Sequence, residues 1–136
     1  MKGILADVNI AGHVRELVET FFESEEWSEF WNFLGISFFE FANVGLHRRA
    51  PDDVVWRTCQ EKELILITGN RNQDGPTSLE ATIRECLKPE SLPVITVSRP
   101  QSLGASSVYM AQVGIKLLEY LYNIDTFRGT GRLYVP

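Results

Sequence analysis

The run Leu64-Ile65-Leu66-Ile67-Thr68 constrains this chain more than any other segment. Four successive branched apolar residues leave no polar face for water. Such a run reads as a central strand of a parallel sheet, covered on both sides. Parallel strands are joined by long crossovers, usually helices, and the flanking sequence supplies them. Residues 3–8 form a first short apolar strand that stops at Asp7-Val8-Asn9. Val14, Leu17, Val18, Phe21 and Phe22 follow at helical spacing. Residues 24–34 read as a second helix, with Ser24 as N-cap, Glu25 and Glu26 in the first turn, and Gly35 as its stop. Its stripe is Trp27, Phe30, Trp31 and Leu34. The aromatic-rich residues 36–43 read as a second strand. Pro51 suits the first turn of a third helix ending near Lys62.

Beyond the central strand, Thr77-Ser78-Leu79-Glu80 fits a capping box opening a fourth helix, with Glu80 as its acid. Residues 93–97 read as a fourth strand. Residues 106–122 read as a long final helix with Ala111, Ile115, Leu118 and Tyr122 on one face. Arg132-Leu133-Tyr134-Val135 closes the chain as a short last strand. This alternation predicts an α/β fold, a three-layer α/β/α sandwich with a mainly parallel sheet, in one domain over residues 1–136.

Thirteen basic against eighteen acidic residues give a net charge of -5. That excludes a strongly basic nucleic-acid coat and a polybasic membrane binder, but not an enzyme that meets nucleic acid locally. Cys59 and Cys86 set no disulfide framework and read as reduced core residues. No apolar run approaches the roughly 20 residues of a membrane span, and the N-terminal residues carry no signal-peptide core. The expectation is a cytoplasmic protein with no membrane partner.

Ligands of open parallel sheets bind beyond the carboxyl ends of the strands. Here the first strand ends at Asp7 and Asn9. The central strand runs into the polar loop of residues 69–76, which carries Asn70, Arg71, Asn72 and Asp74, and the third helix opens with Asp52 and Asp53. Mg²⁺ or Mn²⁺ takes oxygen ligands, commonly one or two carboxylates with several waters. Asp7, Asn9, Asp53, Asn70, Asn72 and Asp74 are the candidate metal ligands. Asp7, Asp53, Asn70 and Arg71 are the candidate catalytic residues, Arg71 as the group that grips a phosphate. Each also has a plainer reading: Asp7 as a helix cap, Asp52 and Asp53 as acids favouring a helix dipole, and the asparagines as turn formers. His13 and His47 do not make a zinc site. Arg48 and Arg49 are a loop pair or a phosphate contact. The chain carries no glycine-rich dinucleotide fingerprint, no P-loop and no nucleophile elbow.

Taken together, the strand ending in Asp7, the acids opening the third helix and the strand ending Thr68-Gly69-Asn70, with Asn72 two residues on, form a pattern. Over residues 1–83 the chain resembles the PIN-like domains, in particular a compact bacterial branch of toxin-like and uncharacterised members. The resemblance implies a PIN-like sandwich with a metal-dependent endoribonuclease centre. Asp7 and Asp53 would be its acids, and Asn70 would stand at the position of the last acid. It also implies Mg²⁺ or Mn²⁺ as cofactor, RNA, single-stranded or structured, as substrate, and an antitoxin-like protein as partner. Asparagine at both 70 and 72 favours a second reading, a catalytically weak PIN-like module that binds protein or RNA. A third, a small phosphatase-like hydrolase, would use Asp7 as nucleophile. The aromatic second helix reads as core with at least one residue left for an interface, giving the expectation of a homodimer; the final helix is the rival surface.

Overall fold

A computed structural model describes residues 1–69 and 78–136. Five short strands, β1 (Gly3–Ala6), β2 (Ser37–Phe39), β3 (Leu64–Thr68), β4 (Val94–Val97) and β5 (Arg132–Val135), form one parallel sheet in the order β2-β1-β3-β4-β5. The helices are α1 (Ala11–Leu17), α2 (Ser28–Leu34), α3 (Asp52–Lys62), α4 (Leu79–Cys86) and α5 (Ser107–Tyr122). Successive strand residues point to opposite faces, and the two cores divide accordingly. Ile4, Ala6, Ile65, Ile67, Ile95 and Val97 pack under α1, α2 and α5. Leu5, Leu64, Leu66 and Val94 pack under α3 and α4. The result is the expected three-layer α/β/α sandwich, with a sheet parallel throughout. Among the described residues no helix is long and apolar enough to cross a membrane.

The crossovers are not all alike. The steps β3–α4–β4 and β4–α5–β5 move the same way across the sheet, yet α4 and α5 lie on opposite faces. The two connections therefore have opposite hands. The first three crossovers share one hand and the last departs from it, against a strong general rule for parallel connections.

Four local expectations need correcting. The second strand stops at Phe39, because Glu40 and Asn43 cap each other and turn the chain into a 3₁₀ turn over Phe41–Val44. Ser24 does not cap α2, which starts at Ser28. Instead α1 runs into a π-helical turn over Val18–Phe22, and the Ser24 hydroxyl donates to the Phe21 carbonyl at 2.6 Å. The capping serine of α4 is Ser78, whose hydroxyl accepts from the Ala81 amide at 3.2 Å. One residue of slip removes Glu80 from the box. On α5 the buried row is Tyr109, Val113, Leu117 and Leu121, together with Leu118, while Ile115 and Tyr122 are 48% and 56% exposed. That helix is apolar on more than one side, so periodicity offers two competing i,i+4 rows.

The cysteines are free, Cys59 buried and Cys86 half-buried. Burial pushes the Cys59 thiol up to about 12, so it packs as an inert apolar group. In α2, Trp31 stacks on Phe22 at 4.6 Å within the core, whereas Phe33 is 74% exposed.

Helix α5 approaches the π-helical turn closely at Gly114. A Cβ there would lie 2.5 Å from the Phe21 ring, which is braced by Phe22 and Trp27 at 5.8 Å each. Gly114→Ala gains up to about 1 kcal/mol in helix propensity. The overpacking costs more, typically about 1–3 kcal/mol. Urea unfolding should show Gly114→Ala less stable than the parent; equal or higher stability would mean that the aromatic cluster yields.

Candidate functional site

The row of residues that follows Leu5, Leu66 and Val94 on the α3/α4 face changes character. Two positions further along each strand stand Asp7, Thr68 and Thr96. Thr68 pairs with Thr96 in register, and Ala6 with Ile67, so the three form one polar row across β1, β3 and β4. Both threonines are fully buried. The Thr68 hydroxyl donates to Asp7 Oδ2 at 2.8 Å. The row lies at the carboxyl ends of β1 and β3, where the chain leaves β1 for one side of the sheet and β3 for the other. This is the switch point at which doubly wound sheets take their ligands.

Helix α3 brings the next acid. Its buried residues Val55, Trp56 and Cys59 fix its rotation, and Asp52 falls on the same i, i+4, i+7 line as Trp56 and Cys59. Asp52 Oδ2 accepts from the Leu79 amide at 3.1 Å, tying the start of α4 to the start of α3. Its negative charge also bears on Asp7. The Asp7 carboxyl is raised from its ordinary value of 3.8 chiefly by burial; hydrogen bonds from Thr68 and the Val8 amide oppose this, and the charge of Asp52 adds to it.

The sequence-derived candidates separate on this geometry. Asp7 stands at the end of β1 on Thr68, and Asp52, at the start of α3, accepts from the Leu79 amide while its charge bears on Asp7. Asn9 sits exposed on the turn directly after Asp7. Asp53 turns to Arg57, at 3.1 Å, and Arg57 also reaches the Cys86 sulfur at 3.7 Å. Asn70, Arg71, Asn72 and Asp74 lie outside the described residues. His47 Nδ1 accepts from the Arg49 amide at 3.0 Å, which shapes the loop before α3. Glu80, freed from capping, accepts from Arg132 Nε at 2.6 Å.

No protein-family model matches this chain, and no curated protein or solved structure matches it.

Three members of the site were missed in the sequence. Asp52 read there only as an acid favouring the helix dipole. Thr96 looked like an ordinary strand residue, and Arg132 like the start of a marginal last strand. The guanidinium of Arg132, only 8% exposed, lies over the end of the sheet and donates to both Glu80 and the Thr96 hydroxyl. A signal was present: a threonine sits at the same register in two otherwise apolar strands, and an arginine opens a third.

Among the described residues no three His, Cys, Asp or Glu side chains gather as a metal cluster. The oxygen donors at this edge are the Asp7 carboxylate, held by Thr68, and the Asp52 carboxylate at the start of α3. That suits a hard cation such as Mg²⁺, which commonly takes one or two carboxylates and keeps its remaining waters. A cation placed there would relieve the charge that burial and Asp52 make costly.

The raised pKa has a sign that can be tested. Folded Asp7 holds its proton to higher pH than the unfolded chain does. Its penalty is absent below about 3.8 and complete above the folded pKa, so stability is lost as the pH rises through that window. Asp7→Asn, of the same shape and uncharged, should melt higher than the parent at pH 7, with the gain shrinking as the pH falls towards 3.8. Thermal melts across that range check it; a variant less stable at pH 7 would show that the charge is welcome in the fold.

Proposed function

We propose that the protein is a divalent-cation-dependent hydrolase of RNA phosphodiester bonds, with Asp7 and Asp52 holding Mg²⁺ or Mn²⁺ at the carboxyl edge of the sheet. The observation that carries this reading is Asp7 itself, a carboxylate at the switch point that the Thr68 hydroxyl holds at 2.8 Å in surroundings that oppose its ionisation. Groups held against their own stability are the mark of sites selected for chemistry rather than for folding. The resemblance of residues 1–83 to PIN-like domains supplies the substrate class.

Within that reading each side chain has a task. Thr68 fixes one oxygen of Asp7 by donating to it, which sets the direction of the carboxylate. Asp7, whose burial raises its affinity for a proton, is better suited than an exposed aspartate to accept one from an attacking water. Asp52 anchors the first turn of α4 while lending its charge, so the site and the start of that helix are positioned by one residue. Arg132 holds Thr96 and, through it, the end of β4 beside β3. The cation, when bound, would polarise the phosphoryl group and make a water a better nucleophile.

The second reading, a catalytically weak module that binds RNA or protein, is favoured by the small count of two carboxylates among the described residues. The two readings part on one experiment. Millimolar Mn²⁺ or Mg²⁺ should raise the melting temperature of the parent by mass action. It should not do so for Asp7→Asn or Asp52→Asn. Cleavage of a labelled single-stranded RNA should fall by roughly two orders of magnitude or more in both variants. Cation binding without cleavage would leave the binding module; no cation effect on the parent would remove the metal centre.

A further inference from the structure

Where the chain leaves β1 after Asp7, a groove of about 410 Å³ opens between the ends of β1 and β2 and is lined by Ala6, Val8 and Glu40 among others. It falls within the size range of small-molecule sites, which are mostly apolar with a few placed polar groups. Its walls are Val8, Ala11, Gly12, Phe41 and Leu46. Val8, the residue after Asp7, is 43% exposed. Arg15 and Glu40 cross one side in a two-pronged ion pair, at 2.9 and 2.7 Å, which joins α1 to the exit of β2. Arg48 stands at the lip and, among the described residues, forms no ion pair. It belongs to the run His47-Arg48-Arg49, a local concentration of basic residues in a chain of net charge -5.

We propose that this groove is a nucleotide subsite, taking one base against its apolar walls with the phosphate of that nucleotide at Arg48. The inference rests on the hydrolase reading for its substrate class and adds where the strand would lie. Three features fit a nucleotide. A flat apolar ring matches walls of Val8, Ala11, Phe41 and Leu46. A guanidinium without a partner suits a phosphate. Val8, which follows Asp7, lines the groove, so a base seated here would keep its backbone close to Asp7. Base seating of this kind is tolerant of sequence, since every base has an apolar face.

Gly12 makes the proposal testable without disturbing the fold. A Cβ added there meets nothing within 4 Å, and leucine is the better helix former. Gly12→Leu therefore fills the groove, and its melting temperature should match or exceed that of the parent. The probes are 5′-AMP, 5′-UMP and adenosine, followed by amide shifts in NMR titrations. The parent should show shifts at Val8, Gly12 and Ala42. Gly12→Leu should bind all three probes about tenfold more weakly, the size of one lost base contact. Arg48→Ala should weaken the two nucleotides several-fold and leave adenosine unchanged. The subsite is overturned by unchanged nucleotide binding in Gly12→Leu, by shifts confined to another surface, or by no binding to the parent at millimolar nucleotide. Nucleotide binding that depends on Gly12, in a protein that neither binds cation nor cleaves RNA, supports the subsite while sinking the hydrolase. Cation-dependent cleavage unaffected by Gly12→Leu does the reverse.

Discussion

The three central strands have no face in water, and the rest of the molecule follows from that. Leu64 to Ile67 is buried residue by residue, as are Ile4 to Ala6 and Val94 to Val97. Each strand must therefore be roofed on both sides, and the roof is built from the helices that also carry the chain back to start the next parallel strand. Polarity can enter such a sheet only at strand ends. It does so in one row, where Thr68 and Thr96 are buried with their hydroxyls engaged and Asp7 is the first residue with access to solvent. The position of the chemistry is thus a consequence of where dryness has to stop.

The periodic signals in the sequence led to the correct layers. Continuous apolar runs marked the strands, β3 to the residue, and the alternation with helices implied the sandwich. What was not legible has specific causes. Asp52 and Asp53 are adjacent, and the rotation of α3, fixed by Val55, Trp56 and Cys59, decides that Asp52 meets the start of α4 while Asp53 turns to Arg57. The α5 face was misassigned because Ala111, Ile115, Leu118 and Tyr122 recur at helical spacing as regularly as the buried row, although Ile115 and Tyr122 are exposed. Ser24 and Thr77 each matched a capping pattern, and in both cases a nearby serine contact or a one-residue slip won. Arg132 could not be placed because its partners Glu80 and Thr96 are 52 and 36 residues away.

The reversed hand of the last crossover explains one of these surprises. With α5 on the α1/α2 side, the α3/α4 side has only two helices to cover the sheet, and β5 lies at its margin. At that margin Arg132, only 8% exposed, donates through Nε to Glu80 and through Nη1 to the Thr96 hydroxyl, while its Nη2 is buried. The same asymmetry gives the other side three helices, among them the aromatic layer of Phe22, Trp31 and Phe21 that α5 packs upon through Gly114.

Because every strand runs the same way, α1, α3, α4 and α5 all begin near the edge where their preceding strands finish. Their first-turn amides point to that edge, where Asp52, Ser78 and Ser106 take up three of them, and each helix contributes roughly half a positive charge from its peptide dipoles. An acidic chain can thus present a backbone-derived positive field at one rim while its side chains remain net negative. Dipoles of this kind carry no counter-ions to release, unlike lysine or arginine. Attraction of a phosphate to this rim would then depend less steeply on ionic strength than the same attraction built from basic side chains.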